Sequence, residues 1–439
     1  MPESGPGGLL VDSYGPLRRR LPRLHGLTTT RLASASRAKE RFFFVPSVCW
    51  PPVLPSMRPD PTYRGDDMTR YSRLLLAASA IATLSTAATV AAAPVVIRGT
   101  ATPTMSVYAT GFNNPRGLKF GPDGMLYVAE GGPGGTGSTT AAQCTQVTPP
   151  VGPYKGSLRG GRISRVDGNG VRTTVTDRFP SSQTSPNLGN LVSGPADIDW
   201  IGGTMYVLTA GSGCSHGVLN TTNGVFRLSA NGNPVLVADL SAFQKAHPVA
   251  HPSPGDFEPD GTWYSMVAVG QTLYAVEPNH GEIDRVRTDG TITRVADISA
   301  SQGHVVPTAV SYHNGNFYIG NLNTFPIVPG SSKVLRVTPN GSVQTYRTGF
   351  TMVTGVTFDN LGRMYVLENT VTAGNPTPGQ GDIVRVQDGR REVIVSGLAL
   401  PTAMTFGPDG ALYVSNLGFG PPPSLPDGPG QVLRIRLDN

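Results

Sequence analysis

The stretch GPDGMLYVAE, from Gly121 to Glu130, returns near the end of the chain as GPDGALYVSN, from Gly407 to Asn416. Each copy begins with a Gly-Pro-Asp-Gly turn and continues into a run dominated by apolar and aromatic residues. A run of this kind beside an Asp-Gly turn is typical of the second strand of a β-hairpin. The two stretches therefore predict two copies of one hairpin, one near each end of the folded part.

Four more copies lie between these two, and each has a strand, a turn and a second strand with an aromatic residue. They read PADIDWIGGTMYVLT from Pro195, YSMVAVGQTLYAVE from Tyr264, PTAVSYHNGNFYIGN from Pro307 and VTGVTFDNLGRMYVLE from Val353. Repeats of about 40–60 residues with four strands each indicate the blades of a β-propeller. We predict an all-β fold, a six-bladed propeller of four-stranded antiparallel blades. Six copies in one register argue against a β-sandwich or two unrelated β domains.

The last copy lacks a fourth strand, because the chain stops at Asn439 after the third. The segment MSVYATGF, at Met105–Phe112, stands alone before the first copy and resembles the fourth strand of the fifth copy, EVIVSGL. We expect this N-terminal strand to complete the last blade, since that removes a free sheet edge. The two quoted stretches then belong to neighbouring blades.

The region before the repeats contains a typical export signal. From Met68, two arginines precede an apolar run that ends in the small residues VAAAP, which fits a signal peptide cleaved after Ala92 or Ala93. The run is shorter than the roughly 20 residues of a spanning helix. We therefore predict a signal peptide at 68–93, a propeller at 94–439 and a secreted or extracytoplasmic location. Residues 1–67 are either a disordered leader or the result of a start codon assigned upstream of Met68.

The basic charge of the chain lies outside the predicted propeller. The formal net charge is +6, but Lys plus Arg and Asp plus Glu number 23 each from Pro94 onward. A neutral body lacks the basic surface that phosphate recognition needs, which argues against a nucleic-acid partner. We expect a monomer that is not an integral membrane protein once the signal is cleaved.

Three cysteines are present, and two of them fall in the predicted propeller. Cys144 and Cys214 lie in loops rich in small residues, and paired cysteines in an exported chain most simply form a disulfide. We predict the Cys144–Cys214 bond and no free thiol in the mature chain. No cysteine stands at the end of the signal to carry a lipid anchor.

Long loops connect strands two and three of most copies, whereas tight turns occupy the other face. Long loops on one side of a rigid scaffold are a typical site of binding. The last residues of the six second strands lie at this rim: Glu130, Thr209, Glu277, Asn321, Glu368 and Asn416. Their carboxylates and amides suit a divalent cation such as Ca²⁺, with Glu130, Glu277 and Glu368 as ligands. They equally suit a polyhydroxylated molecule, or they cap the backbone of their own loops.

Other polar residues fall on the same face. Arg116 begins the first inner strand and is the cation placed to reach the channel mouth, where it holds a carboxylate ligand or pairs with a rim glutamate. The segment GDFEPDG resembles a Ca²⁺ loop but lacks the downstream bidentate Glu. Five histidines lie in loops of this face: His216, His247, His251, His280 and His304. A histidine beside a carboxylate suits a general base, whereas loop histidines with no shared spacing are more typical of solvated side chains.

The repeated motifs GPDGxLYVAE and GxIxRVDGxG resemble those of propellers of the NHL and SMP-30/gluconolactonase types. The chain is most similar to the ScyD/ScyE family of exported propellers, through NNPRGLKFGPDGMLYVAEGG, the Cys144–Val166 stretch and DFEPDGTWYSMVAV. The resemblance spans nearly all of Met105–Asn439 and implies export and a propeller, but no reaction. SMP-30-type lactonases hold their metal at the starts of inner strands. The matching positions here are Arg116, Ala196 with Asp197, Ser265, Thr308, Thr354 and Thr402. Asp197 is the one carboxylate in this set, which argues against a lactonase of that type.

Three functions fit these observations. The first is binding of a small molecule, glycan or protein on the long-loop face by Glu130, Glu277, Asn321, Glu368, Asn416 and Arg116. The second is a metal-dependent hydrolase, lactonase or lyase that acts at the channel mouth. The third is a structural or interaction protein that makes contact through apolar loop tips such as Phe325 and Phe419.

Overall fold

The computed structural model describes residues 103–420 and 428–437, all within the unit Ala93–Asn439. The predicted leader (1–67) and signal peptide (68–93) lie outside the described residues. In the part of the chain that is described, no helix has the length and apolar character needed to cross a membrane.

The chain forms six antiparallel sheets, numbered here as blades 1 to 6 in chain order. The first strand, β1, is Thr104–Phe112. Blade 1 contains β2 (Pro115–Phe120), β3 (Leu126–Glu130), β4 (Lys155–Val166), β5 (Arg172–Gln183) and β6 (Val192–Ser193). Blade 2 contains β7 (Pro195–Ile201), β8 (Thr204–Thr209), β9 (Gly224–Leu228) and β10 (Pro234–Asp239). Blade 3 contains β11 (Ser265–Val269), β12 (Thr272–Glu277), β13 (Glu282–Arg287) and β14 (Ile292–Asp297).

The remaining blades repeat the same order. Blade 4 contains β15 (Pro307–His313), β16 (Asn316–Asn321), β17 (Ser332–Val337) and β18 (Val343–Phe350). Blade 5 contains β19 (Val353–Phe358), β20 (Met364–Glu368), β21 (Gly381–Gln387) and β22 (Arg390–Leu398). Blade 6 contains β23 (Ala403–Phe406), β24 (Leu412–Asn416) and β25 (Gly430–Arg436), with β1 as its fourth strand. The prediction of a six-bladed propeller is confirmed.

The closure of the ring also follows the prediction. Strand β1 pairs antiparallel with β25, from Thr104 opposite Arg436 to Phe112 opposite Gly430. The N-terminal strand thus covers the edge that β25 would otherwise expose. Blade 6 is built from both ends of the folded part, which joins them by backbone hydrogen bonds.

The first blade differs from the others. Its strands β4 and β5 have 12 residues each, and a fifth strand, β6, pairs with the far end of β5. Short helices also occur in the connections: α1 (Leu240–Ala246), α2 (Ser299–Gln302) and 3-10 turns at Pro186–Leu188, Cys214–His216 and Pro254–Asp256. Asp239 starts α1 by accepting a hydrogen bond from the Ala242 amide, a typical N-cap.

The two near-identical stretches contain the same hydrogen bond between a turn aspartate and a strand tyrosine. The hydroxyl of Tyr127 donates to Asp123 in the preceding turn at 2.8 Å, and Tyr413 donates to Asp409 at 3.1 Å. The last glycine of each turn has a positive φ, which a residue with a Cβ adopts at a cost. Each Gly-Pro-Asp-Gly turn therefore fixes the tyrosine of the strand that follows it.

The hydrophobic core lies between the blades. Six clusters of buried side chains each combine residues of two neighbouring blades, including the pair formed by blades 6 and 1. At that last junction Phe120 contacts Tyr413, with ring centroids 5.0 Å apart. Since each sheet buries both faces, the second strands are apolar at nearly every position rather than alternating.

The predicted disulfide is present. Cys144, after β3, is bonded to Cys214, after β8, across 70 residues of sequence. The bond links the long connection of blade 1 to that of blade 2. Disulfides are typical of proteins in oxidising compartments.

A count of thiols tests this bond. The uncleaved chain has three cysteines, so we expect one reactive thiol in the unfolded, non-reduced protein and three after reduction. Titration with a thiol reagent in denaturant measures both values. A Cys49→Ser variant should show no reactive thiol before reduction. Three thiols in the non-reduced, unaltered chain would contradict the Cys144–Cys214 bond.

Candidate functional site

The six rim residues predicted as a binding ring are buried at the ends of the second strands. Five of them reach the backbone of the segment that leads into their own blade, 15 to 17 residues earlier in the chain. The acceptors Glu130, Glu277, Glu368 and Asn416 take the amides of Asn113, Thr262, Thr351 and Ala399, and Asn321 donates to the Val305 carbonyl. Thr209 instead hydrogen-bonds to Gly224. The column is thus a repeated cap on the segments that enter the blades.

Glu130 has the most hydrogen-bond partners of the six rim residues. Its carboxylate is fully buried and accepts from Arg162 Nε at 2.9 Å and Nη2 at 2.7 Å, and from the hydroxyl of Ser164. A bidentate arginine–carboxylate pair is a strong hydrogen-bonded ion pair. The glutamate of blade 1 is therefore occupied by Arg162, and not by Arg116.

Glu368 has fewer partners. It accepts a hydrogen bond from the amide of Thr351, and burial raises its pKa to about 7, with the Thr351 amide opposing this shift. No group of three or more His, Cys, Asp or Glu side chains is placed to hold a metal ion within residues 103–420 and 428–437. Metal binding by Glu130, Glu277 and Glu368 stays a prediction.

A cavity of about 410 Å³ lies on the long-loop face. Its walls come from the connections between second and third strands and from those between successive blades. The lining residues fall in the ranges 150–154, 184–196, 253–264, 278–279, 304–308 and 322–325, with Phe419. Most of the wall is apolar and includes Trp263, Leu188 and Leu322. A cavity of this size and composition is typical of small-molecule sites.

Arg116 is the one predicted ring residue that lines this cavity. Its side chain is half-buried, donates to the Val192 carbonyl and lies 5.6 Å from the ring centroid of Phe419. Burial lowers its pKa, an effect opposed by the nearby Tyr264 and Tyr154, but arginine stays protonated in proteins. Among the described residues no carboxylate forms an ion pair with it, although Asp256 and Glu258 also line the cavity.

Two tyrosines lie close to this guanidinium. Burial raises the pKa of Tyr264 to about 12, although Arg116 opposes that shift, and its hydroxyl donates to the Thr402 carbonyl at 2.9 Å. Burial, and then the charge of Glu258, raise the pKa of Tyr154 well above its usual value. Both hydroxyls are therefore neutral donors at physiological pH.

Behind Tyr154 lies a buried polar chain. Its hydroxyl donates to Glu258 Oε1 at 2.8 Å, and Glu258 Oε2 is 3.1 Å from His216 Nε2. The rings of Tyr154 and His216 are in edge-to-face contact, with centroids 4.6 Å apart. Because Cys214 is two residues from His216, the disulfide is close to this wall of the cavity.

The acidic segment GDFEPDG sends its three carboxylates to different partners. Asp256 contacts His304, with Oδ2 and Nε2 2.8 Å apart, whereas Asp260 accepts from the amide and hydroxyl of Ser215 at 2.7 and 2.6 Å. Glu258 belongs to the Tyr154 chain. The segment is therefore part of the cavity wall, and its carboxylates do not converge on one point.

Sequence reasoning missed most of the polar groups in the cavity. Tyr154, Tyr264 and the contact between Asp256 and His304 come from separate connections, and no spacing in the sequence links them. Phe325 and Phe419, predicted as exposed loop tips, line the cavity, and Phe325 is 38% exposed. The available signal was the cluster of aromatic, acidic and small residues in the 253–264 linker.

No protein-family model matches the chain, and no curated protein matches it. Several solved structures resemble it. They include a protein of unknown function from Bacteroides thetaiotaomicron, with 12% identity, a TM-score of 0.48 and coverage of 76% of this chain and 75% of that one. A putative oxidoreductase (glucose dehydrogenase) from Thermus thermophilus has 17% identity, a TM-score of 0.46 and coverage of 76% and 100%. A gluconolactonase from Xanthomonas campestris has 10% identity, a TM-score of 0.44 and coverage of 77% and 90%. Likeness at this level assigns neither a ligand nor a reaction.

Proposed function

We propose that the protein is an exported, monomeric propeller that binds a small, largely apolar molecule bearing a carboxylate or similar anion. The observation that carries this proposal is the guanidinium of Arg116, which forms no ion pair with a described carboxylate and lines a cavity whose walls are mostly apolar. A cation shielded from water without a counter-charge is costly, and an anionic ligand would compensate it by charge-assisted hydrogen bonds. Apolar walls would take up the remainder of such a molecule.

Other features support parts of the proposal. The disulfide fits an oxidising location, and the quoted motifs support membership of the ScyD/ScyE family. A volume of about 410 Å³ suits a molecule of one to a few rings. It is smaller than a protein or an extended glycan would need, so a small molecule is the preferred partner.

The test compares three matched probes: naphthalene-2-carboxylate, its amide and naphthalen-2-ylmethylamine. We expect the carboxylate to bind the full chain about 10- to 100-fold more tightly than the amide, since a hydrogen bond to a charged group contributes about 1.5–3 kcal/mol. The amine should bind most weakly because it repels Arg116. Titration calorimetry gives the three affinities, and Trp263 fluorescence reports occupancy because this tryptophan lines the cavity.

Two variants control for charge. Arg116→Gln should remove the preference for the carboxylate, while Arg159→Gln, which removes the same charge from an exposed position, should leave it unchanged. Equal binding of carboxylate and amide by the unaltered protein would refute the proposal. So would a carboxylate affinity that is the same with and without Arg116.

A further inference from the structure

A second polar feature of the cavity has no role in ligand binding as proposed above. His304 lies in the connection that leads into blade 4, and Asp256 lies in the 3-10 turn before blade 3. Both line the cavity, and His304 Nε2 is 2.8 Å from Asp256 Oδ2. Their side chains are 14% and 29% exposed, so the pair is accessible from the cavity and still largely shielded from bulk water.

The position of Asp256 is fixed by its surroundings. Its backbone carbonyl accepts a hydrogen bond from Asn279 Nδ2 at 3.2 Å. The side-chain oxygen of Asn279 in turn accepts from the hydroxyl of Thr262. Asn279 and Thr262 also line the cavity. These contacts fix the backbone of Asp256, and its carboxylate orients the imidazole that it contacts.

The contact with Asp256 assigns the proton of a neutral His304 ring to Nε2, because a carboxylate accepts a hydrogen bond and cannot donate one. The lone pair is then on Nδ1. Among the described residues Nδ1 has no hydrogen-bond partner, and it is not one of the enclosed polar atoms. His216 and His280 differ, because their Nε2 atoms contact Glu258 inside the wall. His304 is therefore the histidine placed to take a proton from a molecule in the cavity.

We propose that the cavity hydrolyses an uncharged carboxylic ester or lactone of an apolar acid, with His304 as general base and Asp256 as its positioning residue. This inference rests on the proposed function, because the carboxylate that hydrolysis releases is the anion that Arg116 binds. The same guanidinium stabilises the negative charge that develops on the carbonyl oxygen. An interaction stronger in the transition state than with the neutral substrate accelerates the reaction.

The reaction needs water as its only co-reactant. The oxygen of a water molecule forms a bond to the carbonyl carbon while His304 Nδ1 takes one proton from that water. The bond between the carbonyl carbon and the alkoxy oxygen then breaks, and the protonated imidazole returns the proton to the departing oxygen. The products are a carboxylic acid, which ionises at neutral pH, and an alcohol; a lactone gives one hydroxy acid.

The experiment follows hydrolysis of methyl naphthalene-2-carboxylate and of the lactone dihydrocoumarin by the full chain, with chromatographic detection of the acids. We expect turnover above the buffer rate, and a loss of at least about 10²-fold in kcat for His304→Gln, the usual contribution of a general base. Affinity of that variant for naphthalene-2-carboxylate should stay within about threefold. His251→Gln, at an exposed loop histidine, should retain full activity.

Asp256→Asn separates positioning from a structural role. We expect a lower kcat with an unchanged KM, because the neighbour of His304 changes while the apolar walls do not. Turnover that is equal in His304→Gln and the unaltered protein, or absent for both substrates while naphthalene-2-carboxylate still binds through Arg116, would overturn the inference and leave the proposed function intact. Failure of the acid to bind would overturn both.

Discussion

Replacing Glu130 by alanine should lower the free energy of unfolding by about 3–5 kcal/mol, the usual cost of removing one partner of a buried ion pair. The carboxylate is fully buried and Arg162 is 9% exposed. Without Glu130 the guanidinium of Arg162 loses two charge-assisted hydrogen bonds, and the Asn113 amide and Ser164 hydroxyl lose their acceptor. The change also weakens the closure of the ring, because Asn113 directly follows β1.

Urea unfolding followed by far-UV circular dichroism measures this effect. The matched control is Glu392→Ala, which removes a glutamate paired with Arg385 at 2.6 Å on the surface, where Glu392 is 51% exposed. Exposed pairs of this kind contribute about 0–1 kcal/mol. A similar small loss for both variants would show that Glu130 is not a structural group, and would favour its predicted role as a ligand of the rim.

Replacing Asp284 by asparagine should raise stability at pH 8 by about 1–3 kcal/mol, the range for burial of an uncompensated polar group. Asp284 is fully buried in β13, and neither of its carboxylate oxygens has a hydrogen-bond partner in the described part of the chain. Burial, and then the charge of neighbouring Glu282, raise its pKa well above the usual value, with Arg294 opposing. Burial also raises the pKa of Glu282.

The gain should depend on pH. An acid with a raised pKa in the folded state keeps a proton that the unfolded chain has released, so stability is full below the unfolded pKa, near 3.8, and falls as pH rises toward the folded value. Asparagine has no such proton. The difference between Asp284→Asn and the unaltered protein should therefore be near zero at pH 4 and largest at pH 8.

Unfolding curves at pH 4, 6 and 8 test this expectation. Asp388→Asn removes the same charge from an exposed turn and should change stability by less than about 0.5 kcal/mol at every pH. A constant difference between pH 4 and pH 8 would mean that Asp284 is ionised in the folded state. A loss of stability at pH 8 would mean that its carboxylate has a compensating partner.

Much of the fold could be predicted because the signals are local and repeated. The Asp123–Tyr127 and Asp409–Tyr413 contacts join residues four positions apart, so the motif that forms them is visible in a short stretch. The missing fourth strand of the last repeat likewise pointed to β1 as its replacement. The fifth strand of blade 1 was not predicted, because two paired residues, Val192 and Ser193, leave no period to recognise.

The candidate site was less predictable for a physical reason. Sequence position placed Glu130 and Arg116 at the channel mouth, but it could not say that Arg162, on the next strand, would reach the carboxylate and leave Arg116 without a carboxylate partner. Which side chains pair depends on rotamers and on distances between loops. Because the six rim residues recur at one position of every repeat, they were predicted as the binding site in preference to residues of the loops. Repetition is equally typical of residues that cap the backbone.

By itself the sequence determined the number of blades, the strand that closes the ring, the face with the long connections and the cysteines that pair. These features follow from hairpin turns and strand periodicity, which act over a few residues. Only the tertiary structure decided that Arg116, Tyr264, Asp256 and His304 share one cavity. Those residues come from separate connections, and their proximity arises from the packing of six blades into a ring, which no local pattern encodes.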